Sequence, residues 1–122
     1  MQNTGWRAKQ KNLIFKPMNC DYVEPIEFAS LRKEGKVVPI DVREPEEWQV
    51  GNLGGLHIPL ASLGERLEEL DPDQPYVLIC RSGKRSEAAW LFLKQKGFRS
   101  VKVLKGGLLA WKEWMKDSLE IL

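Results

Sequence analysis

Tyr76-Val77-Leu78-Ile79-Cys80-Arg81-Ser82-Gly83-Lys84-Arg85-Ser86 joins an apolar run to a basic loop, and then to a helical pattern that continues to Lys96. The stretch reads as a buried strand ending at a cysteine, with a helix starting a few residues later. Three of the five residues after Cys80 are basic. A loop entering a helix presents unpaired backbone N–H groups and so suits an anion. Those dipoles and the nearby Arg and Lys charges also favour thiolate over thiol, whose free pKa is about 8.5. Nucleophile and anion cradle therefore fall in one short loop. Gly83 lets the backbone turn its N–H groups inward. Ser82 and Ser86 fit helix caps, and Ser86 can also donate a hydrogen bond to a sulfur. An inert buried thiol needs none of these neighbours, so Cys80 is the candidate nucleophile.

The same strand–helix alternation recurs on both sides of this stretch. Tyr22-Val23 is a short first strand. Glu24-Pro25 opens a helix, with Pro25 in its first turn and Ile26, Phe28, Ala29 and Leu31 on its apolar side. Val37 to Ile40 is a strand ending at Asp41-Val42-Arg43. Pro39 lacks an N–H, which implies an edge or irregular ladder position. Glu44 to Trp48 is a short helix with an acidic first turn. Gly51 to Gly55 is rich in turns, and Leu56 to Pro59 is briefly extended. Ser62 is placed to cap a further helix, with Glu65 as its capping-box partner and Leu63, Leu67 and Leu70 as its stripe. After the Cys80 loop, Ala88, Ala89, Leu91, Phe92 and Leu93 give a broad apolar helix face. Val101 to Leu104 is a strand, Gly106-Gly107 a tight turn, and Leu108 to Leu119 a last helix with Trp111, Trp114 and Met115. Alternation of this kind predicts an α/β fold with a parallel sheet. Such folds place their sites at the carboxyl ends of strands, where Cys80 stands.

The chain has 122 residues, 43% of them hydrophobic, and a net charge of +2 from 19 basic and 17 acidic residues. That is enough for one domain with a real core. Residues 20–122 are read as this domain, and residues 1–19 as a polar, basic arm or linker partly docked through Leu13-Ile14-Phe15. The charge balance gives no ground for a nucleic-acid partner. No apolar run approaches the roughly 18 residues of a membrane span. Met1 to Met18 lacks the apolar core of a secretory signal. Two cysteines make no disulfide framework, and a reactive thiol suits a reducing cytoplasm. The expectation is a cytoplasmic monomer.

The remaining candidates rank below Cys80. There is no Cys-x-x-Cys pair for dithiol exchange. Cys20 reads as a packed or partly exposed thiol near the first strand. Two cysteines and the single histidine, His57, lack metal-ligand spacing, so no metal is expected. A Cys–His catalytic pair with His57 stays open, although Pro59 two residues later favours a turn role. Asp41 and Arg43 end a strand beside the Cys80 strand and are read as bracing the loop. Trp48, Trp90, Trp111 and Trp114 read as core or rim aromatics.

Several separated segments resemble the rhodanese-like sulfurtransferase family. Cys80 to Ser86 is similar to its active-site loop, Asp41 to Trp48 to its first motif, and Leu104 to Trp111 to its carboxy-terminal motif. Gly51 to Pro59 follows the family's glycine-rich segment in outline. Asn52 stands where many members carry histidine. The resemblance runs from about Tyr22 to Met115. It implies a three-layer fold, a five-stranded parallel sheet with helices on both faces. It implies that Cys80 accepts a sulfane sulfur as a persulfide and passes it on, with no separate cofactor. Arg81, Ser82, Gly83, Lys84, Arg85 and Ser86 would surround the outer sulfur with N–H groups and positive charge. Thiosulfate or a protein persulfide would be the donor; cyanide, a thiol or a sulfur-carrier protein would be the acceptor. The stretch from Gly51 to Lys102 is also similar to rhodanese domains fused to adenylyltransferases that activate sulfur carriers.

Two alternatives compete with sulfur transfer. Related phosphatases, with arsenate-type chemistry on the same fold, use a loop one residue longer than the Cys80-to-Arg85 spacing here. The shorter loop should wrap a sulfur atom and crowd a phosphoryl group. A non-catalytic binding module commonly lacks the cysteine.

Overall fold

The structure, a computed structural model, describes residues 20–122; the expected arm of residues 1–19 lies outside them. Five parallel strands form one sheet: β1 (Tyr22–Val23), β2 (Val38–Asp41), β3 (Leu56–His57), β4 (Tyr76–Ile79) and β5 (Val101–Leu104). Their spatial order is β1-β5-β4-β2-β3, so β4 is central. Four α-helices are described: α1 (Pro25–Lys33), α2 (Pro45–Val50), α3 (Lys84–Gln95) and α4 (Gly107–Met115).

The pleat of β4 divides the core. Tyr76, Leu78 and Cys80 point to one face and pack with Ala89, Trp90 and Leu93 of α3. Val77 and Ile79 point to the other and pack with Phe28 of α1 and Leu108 and Trp111 of α4. All four β4 residues are buried, as a strand covered on both faces requires. The result is the expected three-layer α/β fold.

Pro39 is not on an edge strand, because β2 pairs with β4 on one side and β3 on the other. The N–H groups of Val38 and Val42 donate toward β4, to Pro75 and Ile79. Alternation turns the Pro39 nitrogen toward β3, which starts to pair only at Ile40. The missing donor thus falls where no strand is waiting for it.

Three further expectations need correction. The segment from Leu60 to Glu69 is not a capped helix but two short 3₁₀ turns, Leu60–Ser62 and Leu67–Glu69. The Ser62 N–H is spent inside the first turn, on Pro59. Gly64 lowers helix propensity by about 1 kcal/mol, and the ends are tied by Leu60 N–H to Val42 and Asp71 N–H to the Tyr76 hydroxyl. Leu63 and Leu70 still reach the core. The last helix stops at Met115, where Lys116 takes a left-handed conformation. Finally, Ile26 and Trp114 are 74% and 73% exposed. At 3.6 residues per turn, Ile26 lies opposite buried Phe28, and Met115 rather than Trp114 shares a face with Leu108.

Candidate active site

Cys80 follows the last residue of the central strand and is buried among the α3-side core. The chain then turns through Arg81, Ser82 and Gly83 into α3. Gly83 takes the left-handed region (φ 108°) at the helix N-cap, which costs a residue without a Cβ little. Its N–H donates to the Cys80 sulfur at 3.0 Å. The loop is held from outside by a second glycine turn. The Cys80 carbonyl accepts from Leu108 N–H (2.9 Å), and the Arg81 carbonyl from Leu109 N–H (3.1 Å). These carbonyls satisfy free donors of the α4 first turn. With these two carbonyls tied to α4, the Gly83 N–H is the loop donor that meets the sulfur. A Cβ on Gly107 would overlap the Arg81 carbonyl, so the close approach requires glycine there.

The basic residues of the loop divide into two kinds. Arg81 and Lys84 are exposed. Arg85 is half-buried, and both of its terminal nitrogens bond the Glu47 carboxylate, at 2.7 and 2.9 Å. The Arg85 guanidinium holds the Glu47 carboxyl down at about 2, and Glu47 in turn raises Arg85 further into its charged form. Glu47 also closes a capping box with Glu44 at the start of α2. The sequence marked the α2 segment as acidic but did not single out Glu47. Its carboxylate spacing to Glu44 signals a cap, and the long-range pairing has no local signal.

Asp41 and Arg43 meet as a fully buried pair. Arg43 Nε and Nη2 bond the Asp41 carboxylate at 3.0 and 2.8 Å. Arg43 also donates to the carbonyls of Gly51 (2.8 Å) and Glu47 (3.4 Å). The β2 end is thereby fastened to α2, and through Glu47 to Arg85 in the first turn of α3, next to the Cys80 loop. Asp41 lies beside Ile79 in the β2–β4 register.

His57 does not serve as a partner for Cys80. Its Nε2 bonds the Arg43 carbonyl at 2.8 Å, and its ring stacks on Trp48 with centroids 4.7 Å apart. Asn52 accepts from Gly54 N–H and donates to the Trp48 carbonyl, as a turn residue. Ser82 is exposed. Ser86 is fully buried in the first turn of α3, and its hydroxyl has no hydrogen-bond partner among the described residues. Neither serine makes a cap, since Gly83 occupies that position. Cys20 is part-buried beside β1, and burial pushes its thiol up. Among the described residues, no group of three His, Cys, Asp or Glu side chains could hold a metal ion. No helix among them is long and apolar enough to cross a membrane.

Comparison with known proteins agrees with this fold. The family model for the rhodanese-like domain matches residues 24–113. YtwF of Bacillus subtilis, named as a sulfurtransferase, is 45% identical over 74 residues, which cover 60% of this chain and 71% of YtwF. Thiosulfate sulfurtransferase GlpE of Pseudomonas entomophila is 31% identical over 91 residues, 74% of this chain and 83% of GlpE. The crystal structure of a rhodanese-related protein from Thermoplasma volcanium superposes with a TM-score of 0.71 at 32% identity, covering 77% of this chain and 92% of that one.

Proposed function

The chain belongs to the rhodanese-like family of sulfurtransferases, and from that premise we propose that Cys80 is the residue that carries the sulfur. The Cys80 thiolate attacks the outer sulfur of a sulfane donor. With thiosulfate, the donor S–S bond breaks, its electron pair leaves on sulfite, and Cys80 keeps the sulfur as a persulfide. An acceptor nucleophile then attacks the outer sulfur of the persulfide. That S–S bond breaks in turn, and its electron pair returns to Cys80 as thiolate. Cyanide leaves as thiocyanate, and a protein thiol leaves as a persulfide. The electrons balance at each step without a metal or organic cofactor.

One observation carries the reading: the Gly83 N–H points at the Cys80 sulfur from 3.0 Å, inside a loop whose carbonyls are tied to α4. Inward N–H groups stabilise negative charge on whatever sulfur stands there. Arg81 and Lys84 supply unburied positive charge at the rim for an anionic donor. Arg85 holds the loop in shape through Glu47, and its charge adds to the cradle. The buried Ser86 hydroxyl is a spare donor for a sulfur in the loop, while Ser82 forms part of the rim. Asp41 and Arg43 brace the assembly from behind.

The physiological acceptor in this reading is a protein thiol, which attacks the persulfide as above, or an activated sulfur-carrier terminus, whose acyl carbon the persulfide attacks with loss of the activating group before a thiol cleaves the S–S bond. Exposed Arg81 and Lys84 would speed encounter with an acidic partner more than they would tighten it. The protein acts as a monomer in the cytoplasm, without nucleic acid or membrane.

Incubation with thiosulfate tests the mechanism. Wild type should gain one sulfur, about 32 Da, on Cys80, and Cys80→Ser should gain none. An unmodified Cys80 in folded protein would overturn the reading. Ready turnover of an aryl phosphate by wild type would favour the phosphatase alternative instead.

A further inference from the structure

The chain beyond α4 returns to the Cys80 loop. Lys116, at φ 53°, reverses its direction. The Asp117 carboxylate then accepts from Trp111 Nε1 (2.8 Å) and from Leu119 N–H (2.9 Å), which fixes the new course. Leu119 and Ile121 pack on the α1 and α4 side of the core, while Ser118, Glu120 and Leu122 are exposed. A period of two is the pattern of extended chain with one face buried. The Glu120 carbonyl lies so close over Gly51 that no Cβ fits there. Gly51 itself is extended, at φ 179°, so the tail and not the torsion demands glycine. At the end of this course the Leu122 carbonyl accepts from Arg81 Nε at 3.3 Å. Arg81 is the residue after Cys80.

We propose that residues 117–122 are a positioning strap for Arg81, which prepares it for the anionic end of the sulfur donor. The proposal rests on the reading of Cys80 as sulfur carrier. A single bond at Nε leaves both terminal nitrogens of Arg81 without a partner among the described residues. Those two nitrogens are the fork that matches an oxyanion. An exposed Arg otherwise has to give up its rotamer freedom when the donor binds, and the strap removes part of that cost beforehand. The sulfonate end of thiosulfate gains the S–S electron pair as it leaves as sulfite, but the cost of ordering Arg81 falls once, when the donor binds. Loss of the strap therefore acts equally on the bound complex and the transition state and appears in KM rather than kcat. The Asp117 staple, the apolar anchors and the close passage over Gly51 give the strap the rigidity that such a role needs.

The test is a double-mutant cycle on thiosulfate KM. Deleting residues 120–122 should raise KM about three- to tenfold, the range expected for losing the advance ordering of one long side chain. The kcat should stay within about twofold. In an Arg81→Ala background the same deletion should change KM by less than about twofold, because the strap acts through Arg81. Leu119→Ser/Ile121→Ser, which loosens the strap without shortening it, should reproduce the pattern. An unchanged KM in both strap variants would overturn the proposal. So would an equal KM effect with and without Arg81, or a fall in kcat that tracks a lowered urea midpoint. Mass spectrometry of thiosulfate-treated wild type separates the two levels. A sulfur on Cys80 with no KM effect of the strap sinks only the strap, whereas no sulfur on Cys80 sinks both.

Discussion

Glu47 and Arg85, 38 positions apart in sequence, share a two-point ion pair at 2.7 and 2.9 Å. It joins the first turn of α2 to the first turn of α3, which follows the Cys80 loop. Glu47 is 15% exposed and Arg85 34%, so water screens the pair only partly.

Glu47→Gln should therefore lower both stability and sulfur transfer. The Arg85 partner holds the Glu47 carboxyl at about 2, below its ordinary range. Screening on the Arg85 side reduces the stability contribution to about 1–2 kcal/mol. Because the folded value is depressed, this contribution is present above the unfolded carboxyl range and is lost as pH falls toward 2. Urea midpoints of wild type and Glu47→Gln should converge on acidification, and the rate at neutral pH should fall roughly tenfold, about 1.4 kcal/mol in barrier. A difference in midpoint that does not depend on pH would contradict this.

Cys80→Ser should abolish thiosulfate-to-cyanide transfer, while Cys20→Ser should keep the rate within about twofold, as for most changes away from a site. Burial raises the Cys20 thiol, which works against thiolate chemistry there. Steady-state rates of the two variants decide this, and comparable losses would make Cys20 a participant.

Asp41→Ala leaves Arg43 buried at 0% exposure without its carboxylate. Stranding one member of a buried pair costs about 3–5 kcal/mol. The urea midpoint should drop sharply and activity should fall with it. A large loss of rate at an unchanged midpoint would place Asp41 in the reaction itself.

Gly107→Ala should cost activity beyond its backbone strain. Gly107 and Gly35 both take positive φ, 63° and 70°, but a Cβ at Gly35 meets nothing within 4 Å. A Cβ at Gly107 would press on the carbonyls of Arg81 and Cys80. Gly35→Ala thus measures the torsional penalty alone, of order 1–3 kcal/mol. Gly107→Ala should add a displaced loop and a rate loss on the order of a hundredfold, the effect of about 1 Å of misplacement. Equal rates in the two variants would show that the α4 contact does not set the loop.

Much of this protein is legible in local sequence because the signals are local. Four buried residues before a cysteine and a basic, glycine-containing turn after it specify strand, loop and helix start. The repeat of that alternation specifies a parallel sheet. Acidic residues at the start of α2 and the glycines at 106 and 107 mark turns that the backbone then makes. Local pattern misleads where neighbours compete. Between residues 60 and 70, ties to Val42 and to the Tyr76 hydroxyl outweigh a weak helical stripe. At Ile26 and Trp114, helical phase puts apolar side chains on the solvent face.

Local sequence was enough for the fold class, the place of the candidate nucleophile and the basic character of its loop, since each depends on residues within a dozen positions of one another. Packing across the sheet settled how the three basic residues are partnered: Glu47 takes Arg85, the Leu122 carbonyl takes Arg81, and Lys84 stays exposed. It also decided that Asp41 and Arg43 form a buried pair tied to α2, and that His57 serves Arg43 rather than Cys80. Each is a choice of hydrogen-bond partner made across the sheet. Such choices follow from which chain ends the fold brings within about 3 Å, a distance that sequence separation does not encode.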